Sequence, residues 1–249
     1  MNKHDRVEKI IYALDLGFSD FFKDENVRDN TLQQKLEVIE QSVEIMKLEE
    51  AMNFSIFTTL GENHPTAEVY TIDFPSSLRA SLYVLLGGYY RQAIMCLRSW
   101  MEIRLTGIYY SFQTSNQYND WKNGREEGPF GKILIDRLFG RAEFHKKDPI
   151  LGLRTKLDTI YTELSVFTHG GMLGRYNLQI KTDNVPRFNP QSVEIWISFV
   201  KRIFEELVIS FFLAYDKNAF SEMTRKEKDS LKNFLSVTYQ KELQVKNII

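Results

Sequence analysis

The sequence has little cysteine and little histidine. Its 249 residues include one cysteine, Cys96, and four histidines, at positions 4, 64, 145 and 169. A single thiol cannot form a disulfide within the chain, and histidines spaced this widely show no metal-ligand cluster. A glycine-rich phosphate loop and a nucleophile-elbow serine are also absent. Any chemistry is therefore expected to proceed without a metal or with a metal held by carboxylates alone, and we predict no metal site and no cofactor.

Long hydrophobic runs are missing as well. The longest apolar stretch, residues 207–215, is less than half of the roughly 20 residues that a membrane-spanning helix requires. The N-terminal segment is charged and lacks the apolar core of a secretory signal. We expect no membrane partner and a cytoplasmic protein.

Neither sign of charge dominates. Lysine and arginine number 32, aspartate and glutamate number 33, and the formal net charge is −1. This balance argues against broad electrostatic coating of nucleic acid, although it is compatible with a local basic patch.

Helical periodicity dominates what is present. Hydrophobic residues make up 43% of the chain, which is enough for a buried core, and they recur at three- and four-residue steps. The pattern predicts an all-α helical bundle with helices at 31–52, 149–169, 190–215 and 224–235. Their starts are marked by polar N-cap residues followed by glutamine, glutamate or proline: Thr31 with Gln34, Asp148 with Pro149, Asn189 with Pro190, and Thr224 with Glu227.

A central helical hairpin is predicted between residues 76 and 112. As one helix this segment would span about 55 Å, which is long for a domain of this size. The tandem glycines Gly87 and Gly88 would each cost about 1 kcal/mol inside a helix but little in a turn. We therefore predict helices at 76–86 and 89–112.

The linkers indicate the domain organisation. Three segments interrupt the helical pattern, at 53–74, 113–130 and 172–190. Residues 67–73 alternate in a way compatible with a short strand, and the third linker is compatible with a small hairpin or an ordered loop. We predict an N-terminal helical extension, 1–52, and a helical domain, 53–249, with one continuous domain, 1–249, as the alternative.

Apolar stripes on the helices predict the core. They lie at 32, 36, 39, 43 and 46; at 94, 97, 101, 105 and 108; at 150, 153, 157, 160, 161 and 164; and at 195, 199, 203, 207 and 211. The long apolar faces and the aromatic content exceed what one bundle readily covers. We therefore predict a homodimer that forms through helix 89–112 or 191–215.

Polar residues line one side of the second hairpin helix. Arg91, Arg98, Glu102 and Tyr109 follow one another at steps of seven, four and seven residues, which places them on one face. One interpretation is a solvated surface with an Arg98–Glu102 ion pair. The other is a ligand site, in which Glu102 holds Arg98 rigid so that its planar guanidinium binds a phosphate.

A second polar set lies at the end of the helix predicted at 149–169. Tyr161, Ser165 and His169 are four residues apart, and two glycines follow. A histidine at a helix C-terminus feels the negative end of the helix dipole, which favours its protonated form and suits a proton donor. The alternative is a capping histidine that only binds the free carbonyls.

These two stretches together resemble a known family. Residues 85–110, LLGGYYRQAIMCLRSWMEIRLTGIYY, and residues 161–171, YTELSVFTHGG, are similar to the HEPN class of helical proteins, in particular to divergent bacterial members of the abortive-infection type. The resemblance implies a HEPN-type bundle. Many HEPN proteins are metal-independent ribonucleases of toxin–antitoxin, phage-defence or RNA-processing systems, and they usually act as dimers with the active site at the interface.

The resemblance also implies roles for individual residues. His169 would transfer a proton near the RNA 2′-hydroxyl, Arg98 would stabilise charge on the scissile phosphate, and Glu102 would orient Arg98. The other expected binding residues are Tyr161, Ser165, Arg91 and Tyr109. The expected partners are a second copy of the chain, RNA, and a protein partner or antitoxin.

A second function stays open. In the HEPN signature an arginine stands shortly before the histidine, whereas Thr162, Glu163 and Leu164 occupy those positions before His169. This departure favours a noncatalytic helical module that binds a partner protein or a nucleotide. The Arg98–Glu102 pair and the helix-end histidine favour the ribonuclease.

Overall fold

Every regular element is helical in the part of the chain that the structure describes. The computed structural model describes residues 5–6, 25–73, 77–169, 188–245 and 247–249. The all-α prediction is confirmed, because these residues contain helices and no strand. The principal helices are α1 Glu25–Gln34, α2 Leu36–Leu60, α3 Pro65–Ile72, α4 Ser77–Leu86, α5 Tyr90–Ser111, α6 Ser115–Lys122, α7 Gly131–Phe139, α8 Ala142–His145, α9 Asp148–Leu151, α10 Leu153–His169, α11 Pro190–Tyr215, α12 Arg225–Lys232 and α13 Val237–Val245, with a 3₁₀ turn at Asp216–Phe220.

The predicted hairpin is present. α4 ends at Leu86 and α5 begins at Tyr90. Gly88 lies between them with a φ of +80°, a left-handed conformation that glycine adopts without a steric penalty. The tandem glycines therefore form the turn between two helices, as their position in the sequence predicted.

Two of the four predicted helix starts are confirmed at the residues predicted. Asn189 Oδ1 accepts the backbone N–H groups of Gln191 and Ser192, at 3.0 and 3.1 Å, at the start of α11. Thr224 and Glu227 form a reciprocal capping box at the start of α12. α12 ends earlier than predicted, and α13 follows as a separate helix.

The start signal at Asp148 begins the short helix α9 and also caps α10. Gly152, with a φ of +61°, ends α9. Asp148 Oδ1 accepts the backbone N–H of Arg154 at 2.9 Å, which satisfies a free donor in the first turn of α10. The helix predicted at 149–169 is therefore two helices, because a left-handed glycine interrupts it.

The capping box predicted at Thr31 is wrong. Thr31 lies inside α1, where its hydroxyl donates to the carbonyl oxygen of Val27 at 2.8 Å. A threonine inside a helix often binds the carbonyl four residues earlier, so this sequence spacing alone does not mark a helix start. The chain is already helical at Glu25, bends at Lys35 and continues as α2 to Leu60.

The strand compatible with residues 67–73 does not form, because most of this segment lies in α3. Pro65 occupies the first turn of α3, where its missing N–H costs nothing. His64 caps the helix, since its Nδ1 accepts the N–H of Thr66 at 3.3 Å. Burial lowers the pKa of His64, which favours the neutral ring that this acceptor role requires.

The other two predicted linkers differ in outcome. Residues 115–122 form α6, and Thr114 with Gln117 makes its capping box. Of the linker at 172–190, residues 172–187 lie outside the described residues.

The chain folds into two compact units. Unit 1 comprises Met1–Lys47, Pro75–Arg98 and Glu163–Lys201, and unit 2 comprises Leu48–Phe74, Ser99–Thr162 and Arg202–Ile249. Helices α2, α5, α10 and α11 contribute residues to both units. The division into 1–52 and 53–249 stays a prediction.

In unit 1, one hydroxyl joins three helices. The indole N–H of Trp196 on α11 donates to Ser81 Oγ on α4 at 2.7 Å, and Ser81 Oγ donates to the carbonyl oxygen of Ala93 on α5 at 2.6 Å. The hydroxyl of Tyr90 accepts the backbone N–H of Asn189 at 2.8 Å. These hydrogen bonds hold the start of α11 against the hairpin.

In unit 2, a buried ion pair joins α2 and α5. Arg104 is 2% exposed, and its Nε donates to Glu49 Oε1 at 2.5 Å. The same oxygen accepts the indole N–H of Trp100 at 2.7 Å. Arg104 Nη2 lies 3.2 Å from Asp73 Oδ2 without hydrogen-bond alignment, and the guanidinium carbon lies 4.5 Å from the ring centroid of Tyr70.

The predicted core stripes are largely buried. The stripes that begin at Leu32 and at Ile94 are buried throughout. Ile150 is wrong as a core residue, because its side chain is 68% exposed on α9. The break at Gly152 takes Ile150 out of register with the buried residues Leu153 and Leu157.

Replacing Glu49 tests the buried ion pair. Glu49→Gln leaves the guanidinium of Arg104 without its closest charged partner, so we expect the free energy of unfolding to fall by about 3–5 kcal/mol. Glu37→Gln, at an exposed position of the same helix, is the matched control and should change it by less than about 0.5 kcal/mol. Urea unfolding midpoints and m-values measure both changes. Equal effects of the two substitutions would contradict this account of the core.

Candidate functional site

The N-terminal half of α5 contacts the end of α10 within unit 1. Arg91 Nε donates to the carbonyl oxygen of Phe167 at 2.7 Å. This carbonyl belongs to the last turn of α10, where oxygens have no partner within the helix and the dipole favours a cation. The contact brings together the two stretches of sequence that carry the predicted site.

Arg98 and Glu102 lie farther along α5. Both side chains are half-buried, and both have interaction partners. They are therefore not part of a fully solvated face. Cys96 is half-buried nearby, and burial raises the pKa of its thiol, which fits an inert thiol better than a nucleophile.

His169 is the last residue of α10, as predicted. Its side chain and the two glycines after it lie outside the described residues. Ser165, one turn earlier, is half-buried and belongs to unit 1 together with Arg91 and Arg98. The convergence of Arg98 and His169 on one phosphate stays a prediction.

Tyr109 and Tyr161 have local partners in unit 2. Tyr109 accepts a hydrogen bond from Arg137 Nη1 at 3.3 Å, and its ring packs edge-on against Tyr110 at 5.1 Å. The hydroxyl of Tyr161 fills the space where a side chain on Gly131 would lie. Tyr109 lies at the opposite end of α5 from the predicted binding residue Arg91, roughly 27 Å away along the helix axis. One phosphate cannot contact both ends.

One carboxyl group with a strongly shifted pKa was not predicted from the sequence. Glu206 on α11 is 4% exposed, and burial raises its pKa to about 7. Tyr239 on α13 donates to Glu206 Oε2 at 2.5 Å, and Lys156 Nζ lies 3.9 Å from Oε1. The only sequence signal was a glutamate between the apolar positions Ile203 and Leu207.

The described residues contain no group of three or more histidine, cysteine, aspartate or glutamate side chains arranged to hold a metal ion. In the same part of the chain, no helix combines the length and the apolar character needed to cross a membrane.

Comparisons with protein-family models, with curated proteins and with solved structures find no match to this chain. The class that the described residues define is an all-α helical protein.

A pair of glycine substitutions tests the position of Tyr161. Gly131 and Gly152 have nearly equal φ angles, +58° and +61°, but only Gly131 faces Tyr161, whereas no atom lies near the Cβ position of Gly152. Gly152→Ala should cost about 1–2 kcal/mol for the left-handed backbone alone. Gly131→Ala should cost about 1–3 kcal/mol more, because the phenol must move. Thermal and urea unfolding measure the difference, and equal costs would contradict this placement of Tyr161.

The pKa of Glu206 predicts a pH dependence of stability. Because the folded pKa of about 7 exceeds the ordinary value of 4.5, the folded state binds more protons than the unfolded state between these pH values. The contribution of Glu206 is thus complete below about pH 4.5 and is lost as pH rises through about 7. Between pH 5 and pH 8 we expect the wild type to lose on the order of 2–3 kcal/mol more stability than Glu206→Gln.

A second variant separates the causes of that shift. Tyr239→Phe removes the hydrogen bond that favours the carboxylate, so stability should fall more steeply with pH than in the wild type. Urea unfolding at a series of pH values measures all three proteins. Parallel pH curves for the wild type and Glu206→Gln would show that this carboxyl titrates in its ordinary range.

Proposed function

We propose that the protein is a HEPN-like component of a prokaryotic phage-defence or toxin-type system and that it cleaves RNA without a metal. One observation supports the proposal most directly. The Arg91–Phe167 hydrogen bond holds the arginine-bearing half of α5 beside the turn of α10 that ends in His169. Two stretches far apart in sequence thus meet in unit 1, as a shared site requires.

The chemistry follows from the residue types. The negative end of the α10 dipole favours a protonated His169, which suits donation of a proton to the leaving 5′-oxygen, while the proton of the attacking 2′-hydroxyl passes to solvent. Arg98 neutralises charge that develops on the scissile phosphate, and Glu102 orients the guanidinium. Ser165 is one turn from His169 and supplies a hydrogen bond. Tyr161 is less suited to this role, because its hydroxyl packs against Gly131.

A homodimer is part of the proposal. The apolar stripe of α11 from Phe199 to Phe211 is buried within the single chain. At the start of α5, by contrast, Tyr89 and Met95 are exposed. We therefore assign the dimer contact to α5, so that two copies of the site lie near the interface.

The second candidate is a noncatalytic helical module that binds a partner protein, such as an antitoxin, or a nucleotide. The hydrogen bond of Arg91 favours this candidate, because a guanidinium that binds a main-chain carbonyl fits a structural role in helix packing. The absence of an arginine at positions 162–164, before His169, favours it too.

Expression of matched variants tests the proposal. We expect the wild type to arrest growth and to cleave cellular RNA, and the purified protein to cleave RNA in excess EDTA. Arg98→Ala and His169→Ala should each reduce the cleavage rate on the order of 10²–10³-fold. Arg125→Ala and His145→Ala, at exposed positions, are the controls and should leave it unchanged.

The products and the folded state complete this test. Attack by the 2′-hydroxyl leaves 2′,3′-cyclic phosphate ends, which mass spectrometry of the fragments detects. Circular dichroism and light scattering show whether each variant keeps its fold and its oligomeric state. Intact RNA with the wild-type protein, together with tight binding of a protein encoded beside it, would replace the ribonuclease by the binding module.

A further inference from the structure

Cationic side chains are concentrated in the segment that contains α7, α8 and α9. Residues 131–156 hold seven lysines and arginines and three acidic residues, so the segment has a net charge of +4 in a chain of net charge −1. All of these residues belong to unit 2. The charge balance of the whole chain conceals this local excess.

Three of these cations have no carboxylate partner among the described residues. Four others are placed near acids: Arg141 with Glu143, Lys147 with Glu242, Arg154 with Asp136, and Lys156 with Glu206. No described carboxylate lies within 4.0 Å of Lys132, Arg137 or Lys146, and all three are exposed. Their charges are available to an external anion.

An exposed aromatic ring lies on the same side of α7 as one of these cations. Phe130, Ile133 and Arg137 are separated by three and four residues, so they follow one side of α7. Phe130 is 62% exposed and Ile133 is 53% exposed, while Ile135 and Phe139, on the opposite side of the helix, are buried. The helix therefore presents a phenyl ring beside a cation to solvent.

Two of the three arginines of this segment contact aromatic groups. Arg137 Nη1 donates to the hydroxyl of Tyr109 at 3.3 Å, and the guanidinium of Arg141 lies 4.8 Å from the ring centroid of Phe112. The contact with Tyr109 restricts Arg137 without neutralising it, whereas Arg141 also lies 4.0 Å from Glu143. A restricted guanidinium loses less entropy when it binds a phosphate.

We infer that the exposed cations and apolar side chains of this segment, Lys132, Arg137, Lys146, Phe130 and Ile133, together termed the basic surface, bind a single-stranded nucleic acid. The cations contact the sugar–phosphate chain, and one base stacks on Phe130. Unpaired bases expose the π-faces that such a ring needs, and this combination of cations with an aromatic ring is typical of single-strand binding. The inference rests on the proposed function only in taking RNA as the natural ligand.

An anionic membrane is the competing ligand for cations beside exposed apolar groups. Helices that lie in a membrane interface combine a continuous apolar face with a cationic face. α7 has nine residues and offers one exposed aromatic and one exposed aliphatic side chain. The restricted arginines and the small apolar area favour the nucleic acid.

Binding of a labelled oligonucleotide tests the inference. Every protein in this test is the 249-residue chain with His169→Ala, so that the probe, a fluorescein-labelled 20-mer of uridine, is not cleaved. Lys132→Ala, Arg137→Ala and Lys146→Ala are combined in one variant. The control combines Lys217→Ala, Arg225→Ala and Lys226→Ala, which removes the same residue types from exposed positions of unit 2. Fluorescence anisotropy is recorded across a series of salt concentrations.

The two triple variants should differ in affinity and in salt dependence. Each cation that contacts a phosphate contributes about 0.7 to the slope of log Kobs against log salt for a single strand. We expect the first variant to bind at least tenfold more weakly at low salt, with a slope smaller by about 2, and the control to match the parent. Equal binding by the two variants would overturn the inference.

A separate pair of variants tests base stacking on Phe130. Phe130→Ala should weaken binding roughly five- to fiftyfold with an unchanged salt slope, because stacking does not involve counterions. Phe54→Ala removes a phenyl ring of similar exposure, 59%, from α2 and should have no effect. Equal affinities of these two variants would exclude stacking on Phe130.

Two further ligands, phospholipid vesicles and a DNA oligonucleotide, show whether this inference or the proposed function fails. Binding to vesicles of phosphatidylserine and phosphatidylcholine without binding to either oligonucleotide would overturn the basic surface. A 20-mer of deoxyuridine that binds as well as the RNA supports the surface and weakens the RNA-directed function. If the wild-type chain binds the oligonucleotide but does not cleave RNA, the proposed function is refuted and the inferred basic surface is not.

Discussion

A guanidinium group in the interior of unit 2 has to keep its carboxylate partner. Arg104 is nearly inaccessible to water, and its Nη1 and Nη2 form no hydrogen bond with the described residues, so its charge is balanced by Glu49 and Asp73. A buried pair of this kind adds little stability relative to a hydrophobic pair, but a packing that separates the charges is strongly disfavoured. Because Trp100 binds the same carboxylate, the pair fixes how α2 and α5 meet along their length in unit 2.

One helix thus uses three arginines in different ways. On α5, Arg91 binds a main-chain oxygen of α10, Arg98 is half-buried and Arg104 is internal. The face that they occupy, and not their residue type, decides what each does. The proposed site depends on this division, since Arg98 can serve a ligand only while the others hold the helix in place.

Local signals predicted much of the fold. The tandem glycines, the asparagine before Pro190 and the capping box at Thr224 act within a few residues, so their chemistry is visible in the sequence. The helix start predicted at Thr31 was wrong because the same residue pattern also occurs inside a helix. The core position predicted for Ile150 was wrong because a left-handed glycine changed the helical register. The bond from Arg91 to Phe167 and the burial of Glu206 could not be predicted, because both depend on packing between distant segments. The basic surface was not predicted, because its cations lie on α7 and directly after α8 and the net charge of the whole chain hides them.

The hydroxyl of Ser81 has a consequence for evolution. It accepts a hydrogen bond from the indole N–H of Trp196 and donates one to the carbonyl oxygen of Ala93. Few small side chains both donate and accept a hydrogen bond. Drift at position 81 is therefore confined to serine, or to threonine where a methyl group fits, and orthologues are expected to keep a hydroxyl there even where the helices around it have diverged.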